Sequence, residues 1–471
     1  MVIYLMKVML ISPPASSAVK EVLGTTGPPL GLAYLASIAR LEGHDAVIVD
    51  SLAEGIDLRE LKLRIRSFYP DMIGITATTS MIPDAYDVAR VAKEVNPDIT
   101  VLIGGPHVTF LPEETLNECK YIDIVVRGEG ELIFRELLRK RDLREVRGIT
   151  YRDGEIIKSN PAMPLVPNLD EIPIPAYDLL PMHLYRFGNL RFGTLITSRG
   201  CPFDCIFCSS SLQFGKKWRA HSKERVMEEL RILHYEYGVG EVEFLDDTFT
   251  LDRKRAKEIS REIVKEGLDI SWTASSRVNT FDLETGREMK RAGAHTIYFG
   301  IESGSQKVLD LIGKGITIEQ SISAVKNAKK AKLRALGSFI IGFPEETEED
   351  IKKTIEFSKR VGVDLAQFTI ATPYPGTRLW SIASKMGLLL TKDWRKYTTL
   401  DVVMKSFYLT ERQIKRMLNW AYISFYLRPK MILIDLIRNR GFILRRAVPA
   451  ALKFFLRKEG VKELRKEISK L

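Results

Sequence analysis

Thiols and imidazoles are scarce in this chain, which has 4 Cys and 6 His among 471 residues. So few cysteines on so long a chain exclude a disulfide framework. Such a scaffold is not needed either, because a chain of this length with 45% hydrophobic content can bury two or three cores. No secretory leader is expected, since Met1 to Ile11 reads as a short strand-like run broken by Lys7, without a small-residue cleavage site. The expectation is a cytoplasmic protein, working in one variant of the reading at the inner membrane surface. The formal charge of +11 is unevenly spread. From Arg412 onward there are 16 basic and 4 acidic residues, so everything before is close to neutral.

Against that scarcity, Cys201, Cys205 and Cys208 fall in one short run, Thr197-Ser-Arg-Gly-Cys-Pro-Phe-Asp-Cys-Ile-Phe-Cys208. Three thiolates on one loop suit three corners of an iron-sulfur cube and leave the fourth iron without a protein ligand. Two plainer readings compete. Zinc needs a fourth ligand, for which only His221 is nearby in sequence, and three buried structural cysteines are the other alternative. Cys119 reads as an inert core thiol.

The chain alternates strand-like and helical periods. The first strands read at Lys7 to Ile11, Ala46 to Asp50, Met72 to Thr76, Thr100 to Gly104 and Asp123 to Val126, with helical stretches between them. This alternation predicts a doubly wound, Rossmann-like parallel sheet over residues 1–147, whose ligands lie at the strands' carboxyl ends. A hairpin turning at Asp153-Gly154 and a connector with Pro161, Pro164, Pro167, Pro173, Pro175 and Pro181 fill 148–191. From 192 to 385 six further strand-helix units follow. Six are fewer than the eight of a closed TIM barrel, so an open, partial (β/α)6 barrel is expected. Residues 386–471 read as a basic amphipathic helical region.

With its aromatic Phe207 before the last cysteine, CxxxCxxC resembles the signature of the radical S-adenosylmethionine enzymes. The resemblance implies a 4Fe-4S cluster whose open iron chelates S-adenosylmethionine. An electron from an external donor of the ferredoxin or flavodoxin type then releases a 5'-deoxyadenosyl radical that abstracts hydrogen. The later strand ends resemble the family's other motifs. Asp246 and Asp247 match the position that contacts the methionyl amino group, although Asp247 could simply start a helix. Ser275 and Arg277 follow on the third strand, with Arg277 suited to a carboxylate or to a plain surface role. Gly300, Glu302 and Ser303 match the fourth-strand motif, while Gly342 and Pro344 lie on the adenine side.

A doubly wound unit ahead of such a barrel resembles the cobalamin-dependent branch of the family. This implies a corrin lying over Thr76, Thr78, Ser80, Gly104, Gly105, Pro106 and His107. The DxHxxG run that brings a histidine to cobalt is absent, so no residue is assigned to the metal. In the tail, aromatic and aliphatic residues from Trp420 to Leu456 alternate with Lys and Arg. No run there reaches the roughly 20 apolar residues of a spanning helix. The tail suits either peripheral contact with an anionic membrane or a cap over the barrel. Nucleic acid is disfavoured, since the tRNA-modifying methylthiotransferases carry three further cysteines where this chain has only Cys119.

The leading expectation is cobalamin-dependent methylation of an unactivated carbon in a hydrophobic, lipid- or isoprenoid-like substrate. The alternatives are radical cyclisation, carbon-carbon coupling or oxidation without methyl transfer, and a non-catalytic carrier of cobalamin or the cluster.

Overall fold

The computed structural model describes residues 5–14, 26–140 and 142–429. Expectations for the tail beyond 429 therefore lie outside the described residues.

Five parallel strands open the chain: β1 (Lys7–Ser12), β2 (Asp45–Asp50), β3 (Met72–Thr76), β4 (Thr100–Gly104) and β5 (Ile124–Val126). Their order is β2-β1-β3-β4-β5, so the winding reverses between β1 and β3 and opens a crevice at the carboxyl ends there. Near-continuous apolar runs such as Val-Met-Leu-Ile in β1 bury both faces beneath flanking helices. The expected hairpin, β6 (Ile149–Asp153) and β7 (Ile156–Ser159), is present but belongs to this sheet, pairing antiparallel with β5.

The second sheet begins with a two-residue antiparallel strand, β8 (Arg186–Phe187), beside β9 (Leu190–Leu195). A short ribbon follows, β10 (Ser198–Arg199) against β11 (Arg219–Ala220). The sheet continues through β12 (Val239–Phe244), β13 (Ser271–Ser276), β14 (Ala294–Glu302), β15 (Arg334–Ile341) and β16 (Leu365–Ile370). β9 and β12 to β16 are all parallel neighbours in chain order, the arrangement of a half-barrel. Phe244, Trp272, Phe299, Phe339 and Phe368 turn to the helices and are buried, while alternate residues turn to the concave face.

Two segments join the sheets. The proline-rich connector lies along the helix Leu30–Leu41, with Ala176 N–H donating to Ala33 (3.0 Å) and Ser37 Oγ to Ile174 (2.5 Å). The second segment opens the carboxyl-terminal region, whose helix starts only at Glu411. Residues 387–409 form no α-helix: Leu389 bridges to Met404, and a turn at Trp394–Lys396 is capped by Asp393, a residue that favours turns over helix interiors. Trp394 and Tyr397 are buried in the core of the first sheet. The helix Glu411–Tyr426 then packs on β16, an edge strand. Tyr422 and Tyr426 hydroxyls donate to the Phe368 and Ala366 carbonyls, both at 2.8 Å. They also accept from the N–H groups of the same residues, which blunts the open edge. Cys119 is buried among apolar neighbours, as its sequence context suggests. Among the described residues no helix is long and apolar enough to cross a membrane.

Candidate active site

The cysteine loop leaves β9 and is held at its base by Asp246. That carboxylate accepts the Thr197 N–H and Thr197 hydroxyl, both at 2.6 Å, and the Ser198 hydroxyl. Arg255 donates to the Thr197 carbonyl and hydroxyl at 3.1 Å each. Gly200, at φ +93°, cannot be replaced cheaply, since a Cβ there would lie 2.4 Å from the Lys217 carbonyl oxygen. Further along, Cys201 N–H donates to Gly215 (3.1 Å), Ile206 N–H to Ile312 (3.0 Å) and Leu379 N–H to Ile206 (2.8 Å).

Cys201, Cys205 and Cys208 are all partly accessible. Burial pushes the thiols of Cys201 and Cys208 up, so neither is an activated free nucleophile. Among the described residues no three His, Cys, Asp or Glu side chains close on one ion. The zinc alternative also lacks a fourth ligand among the described residues: His221 is buried, with Nδ1 2.9 Å from Asp170, and joins no ion-sized group with the cysteines. The donor set therefore fits a multinuclear cluster better than a single ion.

The neighbouring strand ends divide the expected ligand residues. Asp246 is spent on the loop, whereas Asp247 is exposed toward the cysteines and accepts from Ser210 Oγ at 2.8 Å. Partial desolvation and the Asp246 charge hold the Asp247 pKa above its usual range. Ser275 is half-buried on the concave face. Arg277 is buried, stacked 3.6 Å from the Phe203 ring centroid, with Nη1 3.5 Å from Cys205 Sγ and Nη2 donating to the Lys314 carbonyl.

Glu302 sits at φ +65°, a strained conformation for its residue type, and accepts Lys314 Nζ at 2.6 Å. Gly300 makes room for this pair, because a Cβ there would lie 2.6 Å from Glu302 Oε1 and 2.7 Å from Lys314 Nζ. Phe207 faces Lys314, 5.8 Å from its ring centroid, and Phe343 at 6.1 Å. Ser303 is turned inward, its hydroxyl 2.9 Å from that of Thr354. Gly342 N–H donates to Glu346 (2.6 Å), and the Pro344 carbonyl accepts the Phe407 N–H (2.9 Å). Burial raises the Glu346 pKa to about 8. The sequence reading missed Lys314, whose signal was the Gly313-Lys-Gly315 run; both glycines are at positive φ, and Gly313 lies against Asp204 of the cysteine loop.

At the first sheet, Thr76, Thr78, Ser80, Gly104, Gly105 and Pro106 are all at least partly accessible at the ends of β3 and β4. A Cβ on Gly105 would lie 2.4 Å from the Ala77 carbonyl oxygen, so this close approach requires glycine. The ledge is small-featured and polar and fits the flat face of a macrocycle. His107 departs from it: it is 1% exposed, lies edge-on to Trp394 at 4.8 Å, and its Nδ1 has no hydrogen-bond partner among the described residues.

A buried ionic link ties the two regions together. Glu129 Oε1 and Oε2 meet Arg219 at 2.8 and 2.9 Å, and Glu131 accepts Arg199 Nη2 at 2.6 Å. Arg199 and Arg219 face each other across the β10–β11 ribbon beside the cysteine loop, and Glu129 and Glu131 follow β5. All four are buried.

An open half-barrel with a three-cysteine loop, joined to a doubly wound sheet with an open ledge, defines a radical enzyme with two cofactor platforms. Comparison with known proteins agrees with that class. The Radical SAM superfamily model matches residues 195–358, and the B12 binding domain model matches 16–138. The chain is 58% identical to the uncharacterized methyltransferase PH0819 of Pyrococcus horikoshii, covering 96% of this chain and 99% of that protein. It is 31% identical to the anaerobic magnesium-protoporphyrin IX monomethyl ester cyclase of Rubrivivax gelatinosus, over 85% of this chain and 74% of that one. In fold it resembles the radical S-adenosylmethionine methyltransferase TsrM of Kitasatospora setae, with a TM-score of 0.69 and 18% identity over 81% and 78% of the two chains.

This chain belongs to the B12-binding-domain radical S-adenosylmethionine enzymes, within their methyltransferase family. Its cofactors are a 4Fe-4S cluster, S-adenosylmethionine and cobalamin.

Proposed function

We propose that this protein methylates an unactivated carbon of a hydrophobic substrate held in the half-barrel. The observation that carries this reading is the meeting of two ligand platforms, the cysteine loop and the β3–β4 ledge, through the Glu129–Arg219 link. Cys201, Cys205 and Cys208 would hold three irons and leave the fourth open. Asp247, Arg277 and the Glu302–Lys314 pair line the strand ends where S-adenosylmethionine would lie, with Phe207 beside them. Thr76, Thr78, Ser80, Gly104, Gly105 and Pro106 would support cobalamin. When bound, the cofactors supply hydrogen abstraction and the methyl group, and an external one-electron donor drives them.

The protein's own part is orientation and shielding. Asp246 and Arg255 fix the loop that carries the thiols. Arg277 places a positive charge against Cys205 Sγ, a contact that would tune the potential of a cluster held there. Apolar Leu336, Ile340 and Leu365 on the concave face favour a hydrophobic substrate body. In this reading residues 1–147 form the cobalamin unit, extended by the hairpin, and 192–385 the radical-generating half-barrel.

The test is anaerobic reconstitution with iron, sulfide and cobalamin, followed by reduction with S-adenosylmethionine. Wild-type protein should form 5'-deoxyadenosine and Cys201→Ala should form none; cleavage by the variant would defeat the assignment. The cyclase among the relatives makes a second outcome concrete: an oxidised or cyclised product without the labelled methyl would replace methyl transfer.

A further inference from the structure

Among the described residues, the concave face of the half-barrel carries one acid without a side-chain partner. β12 presents Glu241 and Glu243 to that face. Glu241 is engaged, accepting from Ser271 Oγ and lying 2.7 Å from His295 Nε2. Glu243, one pleat nearer the cysteine loop, is half-buried and has no hydrogen-bond or ion-pair partner among the described residues. Burial, and then the repelling charge of Glu241, push its pKa up, and among the described residues no cation offsets them. Beside it in register, Thr194 of β9 is 2% exposed, and its Oγ1 also lacks a partner among the described residues. Two orphaned polar groups on one face, one of them almost fully buried, mark a place shaped for a ligand's polar atoms. Tyr298, half-buried on the same face, lies two strands from Glu243 and one pleat nearer the cysteine loop, with Thr273 between them.

A half-buried carboxylate with no counter-charge costs free energy that a cationic donor would return. We propose that the half-barrel takes an amphipathic substrate bearing a protonated nitrogen, which Glu243 receives between Thr194 and Tyr298. The substrate's carbon skeleton lies along Leu336, Ile340 and Leu365. This rests on the methyl-transfer reading and narrows its substrate class from hydrophobic molecules in general to lipophilic amines. Leu245, where the cysteine-loop end of this face begins, is two residues beyond Glu243, about 7 Å at strand spacing.

The test uses reconstituted, reduced holoenzyme with methyl-labelled S-adenosylmethionine. The acceptor is a deproteinised extract of cells deleted for the gene, in which unmethylated substrate accumulates. Labelled product should enter an organic phase and then be retained by a cation exchanger at neutral pH. Glu243→Gln loses a charge-assisted hydrogen bond, so methyl groups transferred per 5'-deoxyadenosine formed should fall about 10-fold to 100-fold. Glu243→Asp should recover part of that ratio. It also serves as the test variant should Glu243→Gln not fold. Label in a neutral or anionic product, or an unchanged ratio in Glu243→Gln, overturns the assignment. If 5'-deoxyadenosine forms but no label leaves S-adenosylmethionine for any acceptor, methyl transfer itself fails and takes this inference with it.

Discussion

The two sheets of this protein are both parallel-rich, yet they bury their strands differently. β1 runs exposed only at Lys7 and is buried at every later position, and β3 and β4 are open only at their ends. β15 and β16 instead alternate along their length, with one side of each strand in the apolar core and the other at least partly accessible, and β14 does so from Ile297 to Ile301. A sheet closed on both faces can meet a ligand only at its strand ends, so the first sheet acts as a platform. A sheet with one open face offers a wall as well as a rim. The second sheet can therefore hold both a cofactor at its carboxyl ends and a substrate along its concave side.

That contrast is broken most severely at the link between the two. Glu129→Gln leaves Arg219 buried without its carboxylate, and breaking such a pair costs about 3–5 kcal/mol. Because Arg219 anchors the ribbon beside the cysteine loop, iron retained per chain should fall along with the urea midpoint. The exposed Arg40–Asp178 pair also ties the connector to the first sheet, but Arg40→Ala should cost less than about 1 kcal/mol. If the two variants lose stability equally, the buried link is not special.

Next in size is a direct comparison of the two sheets. Ile75 of β3 is 2% exposed, and Ile75→Ala should cost about 2–5 kcal/mol. Ser338, at the middle of β15 but on its open face, makes no side-chain hydrogen bond among the described residues. Ser338→Ala should stay within about 0.5 kcal/mol in denaturant unfolding. A large loss at Ser338 would mean that the concave face is packed and not available to a ligand.

Much of this was legible in the chain because local periodicity carries it. Met72–Thr76 and Thr100–Gly104 fall where their β-branched runs and flanking glycines put them, and the cysteine loop follows a strand as its spacing required. What stayed hidden depends on pairs far apart in sequence. Nothing local joins Glu129 to Arg219, or Glu302 to the lysine of a Gly-Lys-Gly turn. Asp246 turns inward to the Thr197 and Ser198 donors while Asp247 stays exposed in the turn beyond β12, a division that a pair of adjacent acids does not reveal. Likewise Trp394 reads as one more aromatic of a basic tail, although it closes the core beside His107.

The finest comparison sets one histidine of each region against the other. His107 at the first sheet and His221 beside the cysteine loop are both pushed down to about 4 by burial, and at His221 the Asp170 carboxylate does not reverse the effect. An unfolded histidine takes its proton near pH 6.5. Between about pH 6.5 and 4 the unfolded chain therefore holds protons that the folded protein refuses, so stability falls as pH falls through this window and levels off below it. Each histidine contributes a slope of about 1.4 kcal/mol per pH unit there. Buried acids with raised pKa values, such as Glu346, pull the other way, so the total profile hides these terms. The difference between wild type and His107→Leu isolates one of them. The variant should lose stability to the missing Trp394 contact at neutral pH and regain it relative to wild type as pH falls. A difference that stays constant from pH 7 to 4 would mean that His107 is already able to take its proton in the folded state, and hence that the ledge above it is wetter than its burial implies.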